Sequence, residues 1–190
     1  MGNFPDALKN YLKALELYEK GGKQSAASNC LTNIATLYAQ LKEFDKAREF
    51  VSRSLAVFSS SSNVQEVYQN YSNIGIVYSL MGEFDSALLL LNKGLELTDS
   101  VGDEYWNTVF LTNIAEVYTR SDKPELALAA YKQIIKRNEK AQDVNFILAA
   151  HSGMGRILYK RGNKAEGIDH MLAAFALMKD NRMKRLIIET

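Results

Sequence analysis

Few residues in this chain have the type and spacing that chemistry needs. The two histidines, His151 and His170, stand 19 positions apart and lack the further ligands that a tetrahedral metal site requires. His151 replaces the large apolar residue found at Leu31, Tyr71 and Leu111, so it reads as a half-buried packing side chain. Cys30, the one cysteine, falls where Ala150 stands later in the chain and reads as buried and inert. A reactive thiol is the alternative, and no internal disulfide can form. There is no glycine-rich phosphate loop, no H-E-x-x-H and no C-x-x-C. No Ser/His/Asp arrangement follows from the spacing. The expectation is therefore a protein that is not an enzyme, with no metal and no cofactor.

What remains is a set of groups suited to recognition. Asn33, Asn73 and Asn113 form a ladder at a constant spacing of 40. Each amide both donates and accepts hydrogen bonds, so a row of them can pair with the backbone of an extended peptide. Alternatively, they bridge neighbouring helices. Arg120, Arg156 and Lys160, with Glu116 beside them, form a basic end that either holds an acidic group or is a solvated face. Trp106 and Phe146 occupy equivalent positions in adjacent repeats, and Tyr105 and Tyr68 are aromatic residues of the same standing. They read either as an aromatic anchor for a partner or as packing.

The elements that position these residues recur. Asn33–Ala47 reads N-I-A-T-L-Y-A-Q-L-K-E-F-D-K-A, and Asn73–Ala87 reads N-I-G-I-V-Y-S-L-M-G-E-F-D-S-A. Asn113–Ala127 reads N-I-A-E-V-Y-T-R-S-D-K-P-E-L-A, and a worn fourth copy runs from Gly153 to Gly167. A fixed period of this length marks a stacked repeat array. Apolar residues at three-and-four spacing, as in Ala7, Leu8, Tyr11, Leu12, Leu15 and Tyr18, make each half-repeat an amphipathic helix. Turns fall at Gly21-Gly22, Lys42-Glu43, Met81-Gly82-Glu83, Val101-Gly102-Asp103 and Arg161-Gly162-Asn163, with another through Ser59–Asn63. Pro124 sits in a first helical turn, where its missing N–H costs nothing.

The expected organisation is one all-α array of helical hairpins. Residues 1–22 are the second helix of a truncated repeat. Full repeats cover 23–62, 63–102, 103–142 and 143–181, and residues 182–190 begin a further helix. Small residues mark where helices meet closely: Ala35, Gly75, Ala115 and Gly155 on first helices, and Ala7, Ala47, Ala87, Ala127 and Gly167 on second helices. Tyr38, Tyr78, Tyr118 and Leu158, with Leu55, Leu95, Ile135 and Phe175, are the bulky partners. A lone hairpin cannot bury its apolar faces, so the hairpins must stack.

Bulk properties narrow the function. Lys plus Arg is 23 and Asp plus Glu is 22, a balance that argues against a nucleic-acid partner. No apolar run reaches the roughly 18 residues needed to span a bilayer, and the N-terminus has no signal-peptide pattern. The expected location is cytoplasmic.

The pattern resembles the tetratricopeptide repeat, through Leu31, Ile34-Ala35, Tyr38, Phe44 and Ala47, then Tyr71, Ile74-Gly75, Tyr78, Gly82, Phe84 and Ala87, then Leu111, Ile114-Ala115, Tyr118 and Ala127. The resemblance implies a right-handed α-α superhelix, or solenoid, that binds a peptide or protein segment in its concave groove. The units here are 40 residues rather than the common 34, a length similar to that in kinesin light chain, spindle-orientation adaptors and bacterial signalling proteins. By motif position, the groove face carries Asn29, Thr32, Asn33 and Thr36, then Gln69, Ser72, Asn73 and Ile76. It continues with Val109, Thr112, Asn113, Glu116 and Arg120, then Ser152, Arg156 and Lys160. Lysines that clamp a terminal carboxylate in some relatives are mostly Thr, Ser and Ile here. The implied role is a sensory or adaptor segment of a larger signalling protein. The alternative is a homo-oligomer, self-associating through apolar residues at its ends such as Leu8, Leu12, Ile187 and Ile188.

Overall fold

The structure, a computed structural model, describes residues 4–58, 63–141 and 143–188. The serine run 59–62, Gly2, and the side chains of Phe58, Ile187 and Ile188 lie outside the described ones. Nine α-helices occur among the described residues: α1 (Phe4–Lys20), α2 (Gln24–Gln40), α3 (Phe44–Phe58), α4 (Val64–Met81), α5 (Phe84–Val101), α6 (Glu104–Arg120), α7 (Pro124–Ala141), α8 (Val144–Lys160) and α9 (Lys164–Ile188). None is long and apolar enough to cross a membrane. The chain divides into two compact units, Met1–Ser100 and Val101–Thr190.

The hairpin turns are built identically. Residues 42, 82, 122 and 162 all adopt positive φ, at 62°, 82°, 56° and 95°. The N–H of the next residue donates to a carbonyl five positions back: Glu43 to Tyr38, Glu83 to Tyr78, Lys123 to Tyr118 and Asn163 to Leu158. This left-handed stop satisfies helix-end carbonyls and reverses the chain. Glycine fills it at 82 and 162. Lys42 and Asp122 adopt it as side-chain-bearing residues, at a cost of about 1 kcal/mol or more each.

First helices open on side-chain caps at the same interval. The side chains of Asn63, Asp103 and Asp143 accept from the backbone N–H of Gln65, Trp106 and Asn145. These bonds satisfy donors that the first turn leaves orphaned. Lys23 holds the equivalent position before α2 and makes no such bond.

In unit 1 the core comprises Leu15, Leu31, Ile34, Ala35, Ala47, Phe50, Val51, Ile74, Val77 and Met81, with neighbours on α1 to α4. In unit 2 it comprises Phe110, Leu111, Ile114, Ala115, Ala127, Tyr131, Ile134, Ala150, Met154 and Leu158. The small-residue positions of the sequence pattern are buried wherever a neighbouring helix is packed on them. A Cβ on Gly75 would lie 2.7 Å from Leu91. One on Gly155 would lie 2.9 Å from the Gly167 carbonyl oxygen, and one on Gly167 would lie 2.7 Å from the Tyr159 nitrogen. The α8–α9 crossing is thus backbone against backbone.

One element departs from expectation. A turn before Arg182 would start a further helix there, yet α9 runs unbroken to Ile188. Position 182 is the register equivalent of Gly22 and Gly102, which end α1 and α5 at positive φ. Arg182 is a good helix former with no glycine or proline beside it, so nothing stops the helix.

Candidate functional site

In unit 1 the expected groove residues lie on α2 and α4. Thr32 and Ser72 are buried. The Thr32 hydroxyl donates to the Asn29 carbonyl at 3.0 Å, so it serves its own helix. Asn33, Gln69 and Ile76 are exposed, and Asn29, Thr36 and Asn73 are half-buried. The Thr36 hydroxyl donates to the Thr32 carbonyl at 2.8 Å and offers solvent only its acceptor side. The part of the face that meets solvent is therefore amide and apolar.

In unit 2, Thr112, Asn113 and Glu116 on α6 are half-buried, as are Val109 and Ser152, while Arg120, Arg156 and Lys160 are exposed. The Thr112 hydroxyl donates to the Thr108 carbonyl at 2.8 Å. Glu116 accepts from Arg156 of α8 and from the Tyr131 hydroxyl of α7, both at 3.4 Å. Burial pushes the Tyr131 phenol up, so it is a neutral donor at physiological pH.

Arg156 and Lys160 also line a cavity of about 350 Å³ with Thr119, Asp122, Pro124, Ile157 and Arg161. Its walls combine the apolar surfaces of Pro124 and Ile157 with three cations. Arg156 pairs with Glu116 and Arg161 with Glu125, while Asp122 lies in the lining. Lys160 is not in an ion pair with any described residue. Arg120, expected in the same basic end, is not in the lining.

The fourth copy has glycine where the ladder has asparagine. A Cβ on Gly153 would come within 2.3 Å of the Tyr131 ring. The absent asparagine is thus a packing matter, because the Tyr131 ring fills the space. The register-equivalent residue on α3 is Val51, a smaller side chain, and there Asn73 stands opposite it in the pattern.

Two clusters were not legible as clusters. The ring of Tyr105 meets Trp106 and Phe146 edge-on, at 6.0 and 5.7 Å between centroids, and Trp106 packs on Phe110 at 6.1 Å. Tyr105 itself is exposed and Trp106 half-buried. His151 and His170 meet across α8–α9, Nδ1 to Nδ1 at 2.8 Å, with ring centroids 5.0 Å apart. The centroid distance is close to the N–N distance plus two ring radii, so the nitrogens point at each other along a hydrogen bond. The signal was the hairpin register, in which residues 19 apart face each other; Leu31 and Phe50 are the buried pair in unit 1. Among the described residues no group of three or more His, Cys, Asp and Glu could hold a metal ion. Cys30 is buried, and burial pushes its thiol up.

Residues 1–60 match the family model of the tetratricopeptide repeat. No curated protein matches the sequence. Solved structures match in fold. A signal transduction ATPase with numerous domains from Pyrococcus horikoshii, which has a tetratricopeptide repeat sensor, aligns at TM-score 0.71 and 14% identity. That alignment covers 91% of this chain and 28% of the other. A kinesin-light-chain protein from Podosopora anserina with nearly identical repeats aligns at TM-score 0.69 and 12% identity, covering 96% and 90% of the two chains. The protein BtubC of P. vanneervenii aligns at TM-score 0.56 and 12% identity, covering 96% and 93%. The tetratricopeptide repeat is thus recognisable in sequence over residues 1–60 and in fold over more than nine-tenths of the chain.

Proposed function

We propose that this tetratricopeptide-repeat chain is a scaffold that binds a peptide or protein segment along the faces of its first helices, as the sensory or adaptor part of a signalling protein. Repeats of this family mediate protein–protein interaction. The observation that carries the reading is the unit 2 cavity. Its volume suits one side chain of a bound segment, two apolar walls would seat the aliphatic part, and Lys160 offers a cation that is in no ion pair with a described residue. An Asp or Glu of the segment fits that chemistry. Within unit 2 the segment's backbone would run past the half-buried amide of Asn113, and in unit 1 the exposed amides of Asn33 and Gln69 offer backbone pairing of the same kind.

Overlapping twelve-residue peptides of varied composition, immobilised and probed with the chain, test this. Peptides containing Asp or Glu should be retained, and Lys160→Glu should weaken them about tenfold, the loss of a close charge pair. Binding that is indifferent to peptide acidity and to Lys160→Glu would refute the acidic contact. Joint replacement of Asn33, Asn73 and Asn113 by alanine with affinity unchanged would make the ladder structural. Self-association remains the second reading. Leu12 is exposed on α1, while Leu8 is half-buried against the core, so Leu12 is the α1 residue to test by light scattering.

A further inference from the structure

The corner of unit 2 that holds the cavity is rebuilt relative to unit 1. At the equivalent register positions, Phe44 stands for Pro124, and Ile76, Leu80 and Met81 stand for Arg156, Lys160 and Arg161. In unit 1 that corner is apolar and packed. Phe44 and Leu80 lie against the core, and Met81 is part of it. In unit 2 a phenyl ring is exchanged for the smaller proline and three apolar side chains for three cations. The buried wall is kept, with Ile157 in the place of Val77. The same replacements thus empty the corner and charge its rim.

The cavity is larger than a carboxylate side chain needs. Its volume of about 350 Å³ holds roughly a dozen non-hydrogen atoms, at the ~30 Å³ that a water-sized group occupies in a liquid. The side chains of Asp, Glu and phosphoserine supply about half that number or fewer, and they offer little apolar surface to Pro124 and Ile157. A phosphotyrosine side chain supplies the full count, with a ring for the apolar walls and a phosphate for the cations. The nearby carboxylates leave those cations usable. Arg156 gives one nitrogen to Glu116 and Arg161 gives one to Glu125, so further N–H donors of each guanidinium remain. Lys160 is in no ion pair with a described residue. Asp122 of the lining is exposed and stands against three cations.

We propose that this cavity is a phosphotyrosine site, so that phosphorylation of the bound segment switches its binding on. The site presupposes the segment-binding scaffold proposed for this chain, and phosphotyrosine names the side chain that it takes. The ring lies between Pro124 and Ile157. The phosphate, with about −1.5 to −2 charges at pH 7, takes the remaining guanidinium N–H groups and the Lys160 ammonium. Guanidinium suits this role because it can present two parallel N–H donors to two phosphate oxygens.

The test titrates the full chain with capped single residues, the N-acetyl amides of phosphotyrosine, sulfotyrosine, phosphoserine, glutamate and tyrosine, followed by amide NMR. Phosphotyrosine should bind at least about tenfold more tightly than any of the others, because only it engages both the walls and the cations as a dianion. It should move the resonances of Arg156, Ile157 and Lys160. Pro124→Phe, which restores the ring found in unit 1, should weaken it about tenfold or more, and so should Lys160→Glu. The exposed Lys160 keeps the test valid if Pro124→Phe disturbs the thermal melt. Phosphotyrosine that binds no more tightly than phosphoserine or glutamate overturns the proposal, and the acidic contact still stands where glutamate binds. Failure of every anionic probe overturns both. Sulfotyrosine that binds as tightly as phosphotyrosine overturns the assignment to a phosphate. Undiminished binding by a folded Pro124→Phe chain, or by Lys160→Glu, overturns the cavity as its place.

Discussion

The two units join neighbouring hairpins at the same register with different chemistry. In unit 1 the join of α3 to α4 is polar. Ser28 donates to the Asn70 amide oxygen at 2.6 Å, and the Ser28 and Ser54 hydroxyls lie 2.9 Å apart. The Asn70 NH2 is satisfied by the Glu66 carbonyl at 2.8 Å, and all three side chains are buried. In unit 2 the register equivalents of Ser54 and Asn70 are Ile134 and Ala150, both apolar and buried, and the Tyr131 ring reaches over Gly153. A buried, satisfied network adds little net energy but penalises any other alignment heavily, because each group would then lose its partner. A ring over glycine gives more buried area and depends on shape alone. The repeat thus fixes helix placement, while the filling of each join varies.

The sharpest way to break this contrast is to give unit 2 the side chain found in unit 1. Gly153→Asn should cost about 3 kcal/mol or more in urea unfolding, because its Cβ meets the Tyr131 ring. Combined with Tyr131→Val, it should cost at least ~1 kcal/mol less than the sum of the single changes. Strict additivity would mean that the ring does not exclude the asparagine.

What the units share should respond alike. Ala87→Leu and Ala127→Leu overpack the same crossing within a hairpin, and each should cost on the order of 1–3 kcal/mol. A change within ~0.5 kcal/mol at either position would show that the register is misplaced. In the polar join, Asn70→Ala should cost about 2 kcal/mol by orphaning buried hydroxyls. The triple change Ser28→Ala, Ser54→Ala and Asn70→Leu should cost less than Asn70→Ala alone. A larger loss from the triple change would mean that the network carries net stability.

Two smaller effects complete the set. Lys23 stands where the other first helices carry Asn63, Asp103 and Asp143, so Lys23→Asp should raise stability by about 1 kcal/mol. An unchanged or lower melting temperature would refute the missing-cap reading. Cys30 should react with a disulfide reagent at least ~10-fold more slowly at pH 8 than a free cysteine, and urea should restore the rate. Its thiol is raised, so any stability tied to it is present below the unfolded thiol's pKa and lost only as pH climbs past it.

Much of the fold could be read in the sequence because its causes are local and repeated. The spacing of Ala35, Gly75, Ala115 and Gly155 located the hairpin crossings, and glycine at 82 and 162 located two turns. Lys42 and Asp122 hid the other two as conformations, since neither residue type demands positive φ. The groove was less legible. Thr32 and Ser72 share a motif position, next to the exposed Asn33 and the half-buried Asn73, yet helix packing turned them inward. The histidine pair is hidden because a spacing of 19 matches no ligand motif, and only the facing register of the hairpin brings the two rings together.

The sequence by itself determined the elements: the period of 40, amphipathic helices and small residues at crossings. These follow from backbone propensity and from the spacing of apolar side chains, which act over one or two turns. Only the tertiary structure decided which polar side chains meet solvent and that Tyr131 takes the place of an asparagine. Those outcomes depend on the volume and direction of side chains from helices far apart in sequence, which no periodicity encodes.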